Sequence, residues 1–178
     1  MPVLALWSPV DALLGIVAPL GAASAAGTAL VIDLDPSGPG FGGPFSLAEL
    51  VERGPTRSQL EPSKSGPAVL RNGGIKPEDA QEVIAELIAR WPNVVLRCPP
   101  SANLDSEAVA VLPLLPPPFT PIVHGATVYQ RTRMESRAPG GRLALPVPRA
   151  GTIRSLLHGE RPPRRDRWIG ALRQVWRA

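Results

Sequence analysis

The sequence predicts a three-layer α/β/α fold built on a mostly parallel, doubly wound sheet. Short uncharged runs rich in β-branched residues recur at 3–7 (VLALW), 30–32 (LVI) and 94–96 (VVL). Runs of that kind mark strands covered on both faces. Between them lie stretches with helical spacing and helix caps, and strands that alternate with helices imply parallel pairing with crossovers. No internal repeat is visible.

The elements follow in order. Residues 3–7 form a first strand that Ser8-Pro9 ends, and the Ala-rich segment 11–26 suits a helix buried against a sheet. Pro19 should kink that helix or mark its true start. Gly27 closes it and the chain enters TALVIDLDP, residues 28–36, a buried strand whose end carries Asp33 and Asp35. Side chains two apart on an extended chain point the same way, and ligands in open α/β sheets bind at the carboxyl ends of strands. Taken alone, the two carboxylates read as a phosphate or metal site.

Residues 37–44 (SGPGFGGP) carry too many breakers for anything but a loop. Ser46 followed by Glu49 has capping-box spacing, which predicts a short helix over 47–53. The polar stretch 54–66 reads as exposed, and 68–70 as a brief strand. Pro77 at a first-turn position, Glu78 and Asp79 open the clearest helix, with Ala80, Val83, Ile84, Leu87, Ile88 and Trp91 on one apolar face. After the strand at 94–96 come Arg97-Cys98-Pro99-Pro100 and a loop at 101–106. Residues 108–115 are strand-like, 128–129 weakly so, 134–141 reads as flexible, and 143–146 is a last short strand. Thr152 reads as the cap of a helix that Gly159 ends. A terminal helix after Pro162-Pro163 has Trp168, Ile169, Leu172, Val175 and Trp176 on one side and arginines on the other.

Composition narrows the function classes. With 178 residues, 18.8 kDa and 44% apolar content the chain suits one globular domain, residues 1–178, while 23 Pro and 17 Gly imply long irregular connections. The net charge of +4 is divided unevenly: residues 131–178 hold twelve Arg against three acids, a balance of +9, so the preceding part carries −5. A basic tail on an acidic body points to an acidic partner or to a solvated Arg-rich surface. One cysteine, Cys98, excludes an internal disulfide and fits a reducing cytoplasmic setting. It reads as a small buried apolar side chain. His124 and His158 are too few and too distant in sequence for a zinc site. The 21 uncharged residues 12–32 are long enough to span a bilayer, yet Gly15, Pro19, Gly21 and Gly27 interrupt them and no basic residue precedes Arg53, so neither a membrane span nor a signal peptide is expected.

In series, VLALWSP, the Ala-rich helix, ALVIDLDP, NVVLRCPPS and LALPVPRAGTIRSLLHGE resemble the MinD/ParA family of deviant Walker ATPases, in particular its CpaE/TadZ-like branch. The resemblance covers most of the chain and implies a reduced P-loop NTPase-like fold. It also implies a glycine-rich KGGxGKT loop after the first strand, an acidic DLDP-like motif after the second and a DxPP motif after a later one. The departures fall on the chemistry. Val10 stands where the signature lysine is expected, Asp11 and Ala12 replace loop glycines, Gly15 replaces the second lysine and Ile16 the hydroxyl residue. RCPP replaces DxPP, so Arg97 reverses the charge at a magnesium-binding position. Phosphoryl transfer needs loop amides, a lysine on the phosphates, a hydroxyl on the metal and acids around it.

The resemblance with these losses implies a pseudo-ATPase with no cofactor and no catalytic residue, acting by binding another protein. That partner would be a related ATPase or a component of pilus or secretion assembly, or of division. Asp33 and Asp35 then become framework acids, one paired with Arg97 in place of a metal. The alternative is non-specific DNA binding through Arg164, Arg165, Arg167, Arg173 and Arg177. An enzyme built on Asp33 and Asp35 alone lacks a lysine, histidine or glycine loop nearby. A constitutive homodimer and a heterodimer are both compatible with the sequence.

Overall fold

The apolar runs pair into one seven-stranded, all-parallel sheet in a computed structural model that describes residues 2–56, 67–100, 108–134, 136–163 and 165–177. The strands are β1 (Val3–Trp7), β2 (Leu30–Asp33), β3 (Ala68–Leu70), β4 (Val94–Arg97), β5 (Val109–Leu114), β6 (Thr127–Arg131) and β7 (Ala144–Leu145). Their order is β3-β2-β4-β1-β5-β6-β7. The chain leaves the centre at β1, builds one half outwards through β2 and β3, returns to insert β4 beside β1, and then builds the other half. Connections to both sides of the centre leave a crevice at the carboxyl ends of β1, β2 and β4. The expected α/β/α fold is present, with all strand pairs parallel.

Alternation along the strands creates two apolar faces. Leu4, Leu6, Val31, Val95, Val109, Val111 and Val128 face α1 (Ala12–Ala26), α4 (Ala150–Leu157) and α5 (Arg167–Leu172). On the opposite face Leu30, Ile32, Leu70 and Val94 pack against α2 (Leu47–Arg53) and α3 (Gln81–Arg90). Over β5 and β6 that second face is covered by irregular chain: Val123 and Ala138 pack near Leu112, Leu114 and Tyr129, and the Tyr129 hydroxyl donates to the Pro121 carbonyl at 3.1 Å. The proline-rich connections take the place of helices there.

Helix α1 runs from Ala12 to Ala26 through Pro19, which therefore does not mark the start of the helix. Pro19 removes one backbone donor, normally costing about 3 kcal/mol in a helix interior. Here the residues around it, Val17, Ala18, Leu20, Gly21, Ala22 and Ala23, are all buried between the sheet and the C-terminal helices. Burial of roughly 0.8 kcal/mol per CH₂ over so many side chains outweighs one lost bond. The uncharged stretch 12–32 is thus divided between a 15-residue helix and a strand. No helix among the described residues is long and apolar enough to cross a membrane.

Other elements match with local differences. The capping box at Ser46 and Glu49 has both of its hydrogen bonds, at 3.3 and 2.8 Å. The helix expected from Pro77 opens as a 3₁₀ turn over Pro77–Ala80 and becomes α-helical at Gln81. Thr152 lies inside α4, whose cap is Arg149, because its hydroxyl is recruited by Asp166 at 2.5 Å. Pro113 is tolerated in β5 because β1 pairs with that strand only at Val109 and Ala110, leaving residue 113 bonded on the β6 side alone. The segment 134–141 includes a 3₁₀ turn at Pro139–Gly141. Of the stretch 54–66 expected to be exposed, residues 57–66 lie outside the described residues, as does the loop at 101–106.

Candidate functional site: a closed acidic crevice

Parallel pairing of β2 with β4 sets Asp33 directly opposite Arg97 at the carboxyl end of the sheet. All three charged groups are nearly inaccessible, with Asp33, Asp35 and Arg97 exposed by 0, 2 and 3%. Arg97 Nη1 donates to Asp33 Oδ1 and Oδ2 at 2.8 and 3.0 Å, and Nη2 donates to Asp35 Oδ2 at 2.9 Å. One guanidinium fork therefore bridges both carboxylates, each through its own nitrogen, a fixed planar geometry that the single nitrogen of a lysine does not reproduce. The Phe41 ring lies 5.3 Å from the Arg97 Cζ and adds a cation–π contact. Arg97 Nε has no hydrogen-bond partner among the described residues.

Backbone donors complete the cluster. The Asp35 amide donates to Asp33 Oδ1 at 3.1 Å, and Asp35 Oδ1 accepts from the amides of Ser37 and Gly38 at 3.1 and 2.9 Å. Gly38 has no room for a side chain, since a Cβ there would overlap the Asp35 carboxylate and approach Arg97 Nη2 to 2.8 Å. Asn72 donates to the Asp33 carbonyl at 3.2 Å and ties the end of β2 to the chain after β3. Two carboxylates and one guanidinium leave a formal charge of −1. Burial pushes the Asp33 carboxyl above its ordinary value, with the Arg97 charge and the Asp35 amide acting in the opposite direction.

Across the crevice, the chain after β1 offers no cationic side chain to an anion, and Ser8 is its one hydroxyl on the cavity wall. Asp11 caps α1, its Oδ1 accepting from the Leu14 amide at 3.0 Å. The helix N-terminus, the natural place for a phosphate, thus already holds a carboxylate from its own chain. Val10, Ala12 and Leu13 point to solvent, and Ile16 is partly buried against the core. Gly15 is not required for space, as a Cβ would meet Ser8 Cβ at an ordinary 3.8 Å. What is left between the two sides is a cavity of about 90 Å³ lined by Ser8, Ala12, Gly15, Asp35, Arg97 and Cys98. Small-molecule sites usually measure about 300–1,000 Å³.

Cys98, the residue after β4, is buried and its thiol is pushed up to about 11 by burial. His124 and His158 are exposed. Among the described residues no group of three His, Cys, Asp or Glu is placed to hold a metal ion.

The basic tail is anchored on one side and open on the other. Asp166 caps α5 through the amides of Trp168 and Ile169 at 2.9 and 3.1 Å. Trp168, Ile169 and Leu172 are buried, while Arg165, Arg167, Arg173 and Arg177 are exposed. Arg164 lies outside the described residues.

Sequence reasoning anticipated one carboxylate paired with Arg97, and the fold brings both to it. It missed Phe41, Gly38 and Asn72. For Gly38 the signal was present, because Asp followed by Pro-Ser-Gly is a turn sequence in which the carboxylate bonds backbone amides two and three residues on. Phe41 and Asn72 carry no such signal, since only the folded loops bring them to the cluster. A search against protein-family models finds no match, and no curated protein is significantly similar in sequence.

Proposed function

We propose that this chain is a MinD/ParA-like pseudo-ATPase that acts as a protein-binding scaffold or regulator in positioning cellular machinery, such as a pilus or secretion apparatus or the machinery of division or segregation. The observation that carries this reading is the Arg97 fork on Asp33 and Asp35. The acids that a nucleotide-bound metal would need are already paired from within by one arginine. Asp11 on the Leu14 amide of α1 and the small volume of the crevice support the same reading, because a triphosphate would meet a fixed negative charge and too little room. The apolar side chains Val10 and Leu13, exposed beside this crevice, suit contact with a protein surface.

Calorimetric titration with Mg-ATP tests the proposal. No micromolar binding and no turnover are expected. Binding of ATP at micromolar affinity and more tightly than inorganic tripolyphosphate, which lacks the nucleoside, would overturn it.

The exposed side chains of Arg165, Arg167, Arg173 and Arg177 favour a second reading, non-specific DNA binding. Phosphate contacts release counterions, so affinity for duplex DNA would fall steeply with salt. Absence of binding at low salt removes this reading.

A further inference from the structure

At the opposite half of the sheet, beyond the end of β6, lies a cavity of about 670 Å³ lined by Arg131, Thr132, Arg133, Arg137, Ser136 and Val147, with Met134 beside them. We propose that it binds a small multivalent oxyanion, a phosphate or polycarboxylate compound, with Arg131, Arg133 and Arg137 as its ligands. Its volume is that of a small-molecule site, and it sits at the carboxyl end of a parallel sheet, where such sites form.

Three arginines line one open concavity, and among the described residues no carboxylate forms an ion pair with any of them. Guanidinium forks match phosphate and carboxylate oxygens two at a time, so three arginines on one wall suit an anion with several such oxygens. The hydroxyl of Ser136, a further wall residue, is buried without a hydrogen-bond partner among the described residues. Met134 and Val147, both exposed, add apolar surface for a carbon framework.

The frame beneath is tied together by side-chain hydrogen bonds. Gln130 is buried, and its Nε2 donates to the carbonyls of Arg131 and Pro146, both at 2.9 Å. That amide clamps the two chain segments from which Arg131 and Val147 project. Its Oε1 accepts from Trp168 Nε1 at 2.6 Å, which fixes the clamp to α5. The Thr132 hydroxyl donates to the Leu114 carbonyl at 2.9 Å and accepts from the Met134 amide at 3.3 Å, holding the turn that presents Arg133. The site is separate from the crevice at Arg97 and uses none of the arginines of α5.

Calorimetry of the full chain with inorganic pyrophosphate and with citrate tests the proposal, alongside R131Q/R133Q/R137Q and R167Q/R173Q/R177Q variants and a duplex oligonucleotide. Saturable one-to-one binding of pyrophosphate or citrate is expected, the choice between them identifying phosphate or carboxylate as the preferred group. The first variant should weaken it at least about tenfold, since bonds to charged partners carry most of the affinity. The second variant should leave it unchanged. The substituted side chains are all exposed, and circular dichroism checks that each variant is folded. The proposal is overturned by absence of small-anion binding, by equal losses in both variants, or by binding of the oligonucleotide alone.

Discussion

Arg97 and Asp33, 64 residues apart in the chain, are direct partners across the parallel pair of β2 and β4, and the guanidinium donates to both oxygens of the carboxylate. Removing the cation leaves two buried carboxylates side by side. Arg97→Met should therefore lower stability by about 3–5 kcal/mol, the cost of an uncompensated buried charge, read as a lower urea midpoint. Adding Asp33→Asn and Asp35→Asn should return part of the loss. A single variant as stable as the parent would show that the pair has no structural role.

The same cluster predicts a pH dependence. Because the Asp33 carboxyl is raised by burial above its ordinary 3.8, the folded chain binds this proton more tightly than the unfolded chain does. Its contribution to stability falls as pH rises from about 3.8 through the folded value. Glu49 behaves oppositely: the Ser46 amide lowers it, so its contribution is present above 4.5 and is lost as pH falls through the folded value. Urea midpoints across the acid range, compared between Glu49→Gln and the Glu49→Gln/Asp33→Asn double variant, isolate Asp33. The double variant should lose less stability than Glu49→Gln as pH rises. Parallel curves would refute this assignment.

Gly21 is the point at which α1 passes under α5. A Cβ there would overlap the Trp168 ring and come within 2.6 Å of Leu172 Cδ1. The ring cannot simply retreat, because its indole nitrogen is held by Gln130. Alanine is ordinarily the better helix former by about 1 kcal/mol, yet overpacking should dominate, and Gly21→Ala should destabilise by about 1–3 kcal/mol. Thermal unfolding monitored by tryptophan fluorescence checks the sign. A raised midpoint would mean that the two helices slide apart freely.

Cys98 should be inert in the folded chain. With its thiol pushed up to about 11 from 9.0, alkylation near pH 8 should be slower than in urea by about a hundredfold from the thiolate fraction alone, and burial slows it further. Rapid labelling of the native chain, followed by mass spectrometry, would contradict the burial described for this residue.

Much of the fold was legible because strand and helix signals are local. The runs at 3–7, 30–32 and 94–96 became β1, β2 and β4 within a residue, since an uncharged β-branched run has little alternative but a covered strand. β6 was legible only at 128–129, although it extends over Thr127–Arg131. Gln130 hides the pattern there, being polar in sequence yet buried with its amide fully bonded to Trp168 and two carbonyls. Thr152 was misread for a related reason. A threonine ahead of an apolar run suggests a cap, but a distant partner, Asp166, took its hydroxyl.

By itself the sequence determined the alternation of strands and helices, the residue types along the loop after β1, and the placing of positive charge after residue 130. These properties depend on spacing and residue type, which any part of the chain carries locally. Only the tertiary structure decided that one arginine closes both acids, that Asp11 turns back onto its own helix, and that three arginines beyond β6 line one cavity. Those outcomes depend on strand order and register, which bring together residues far apart in the chain and are set by the packing of the whole sheet.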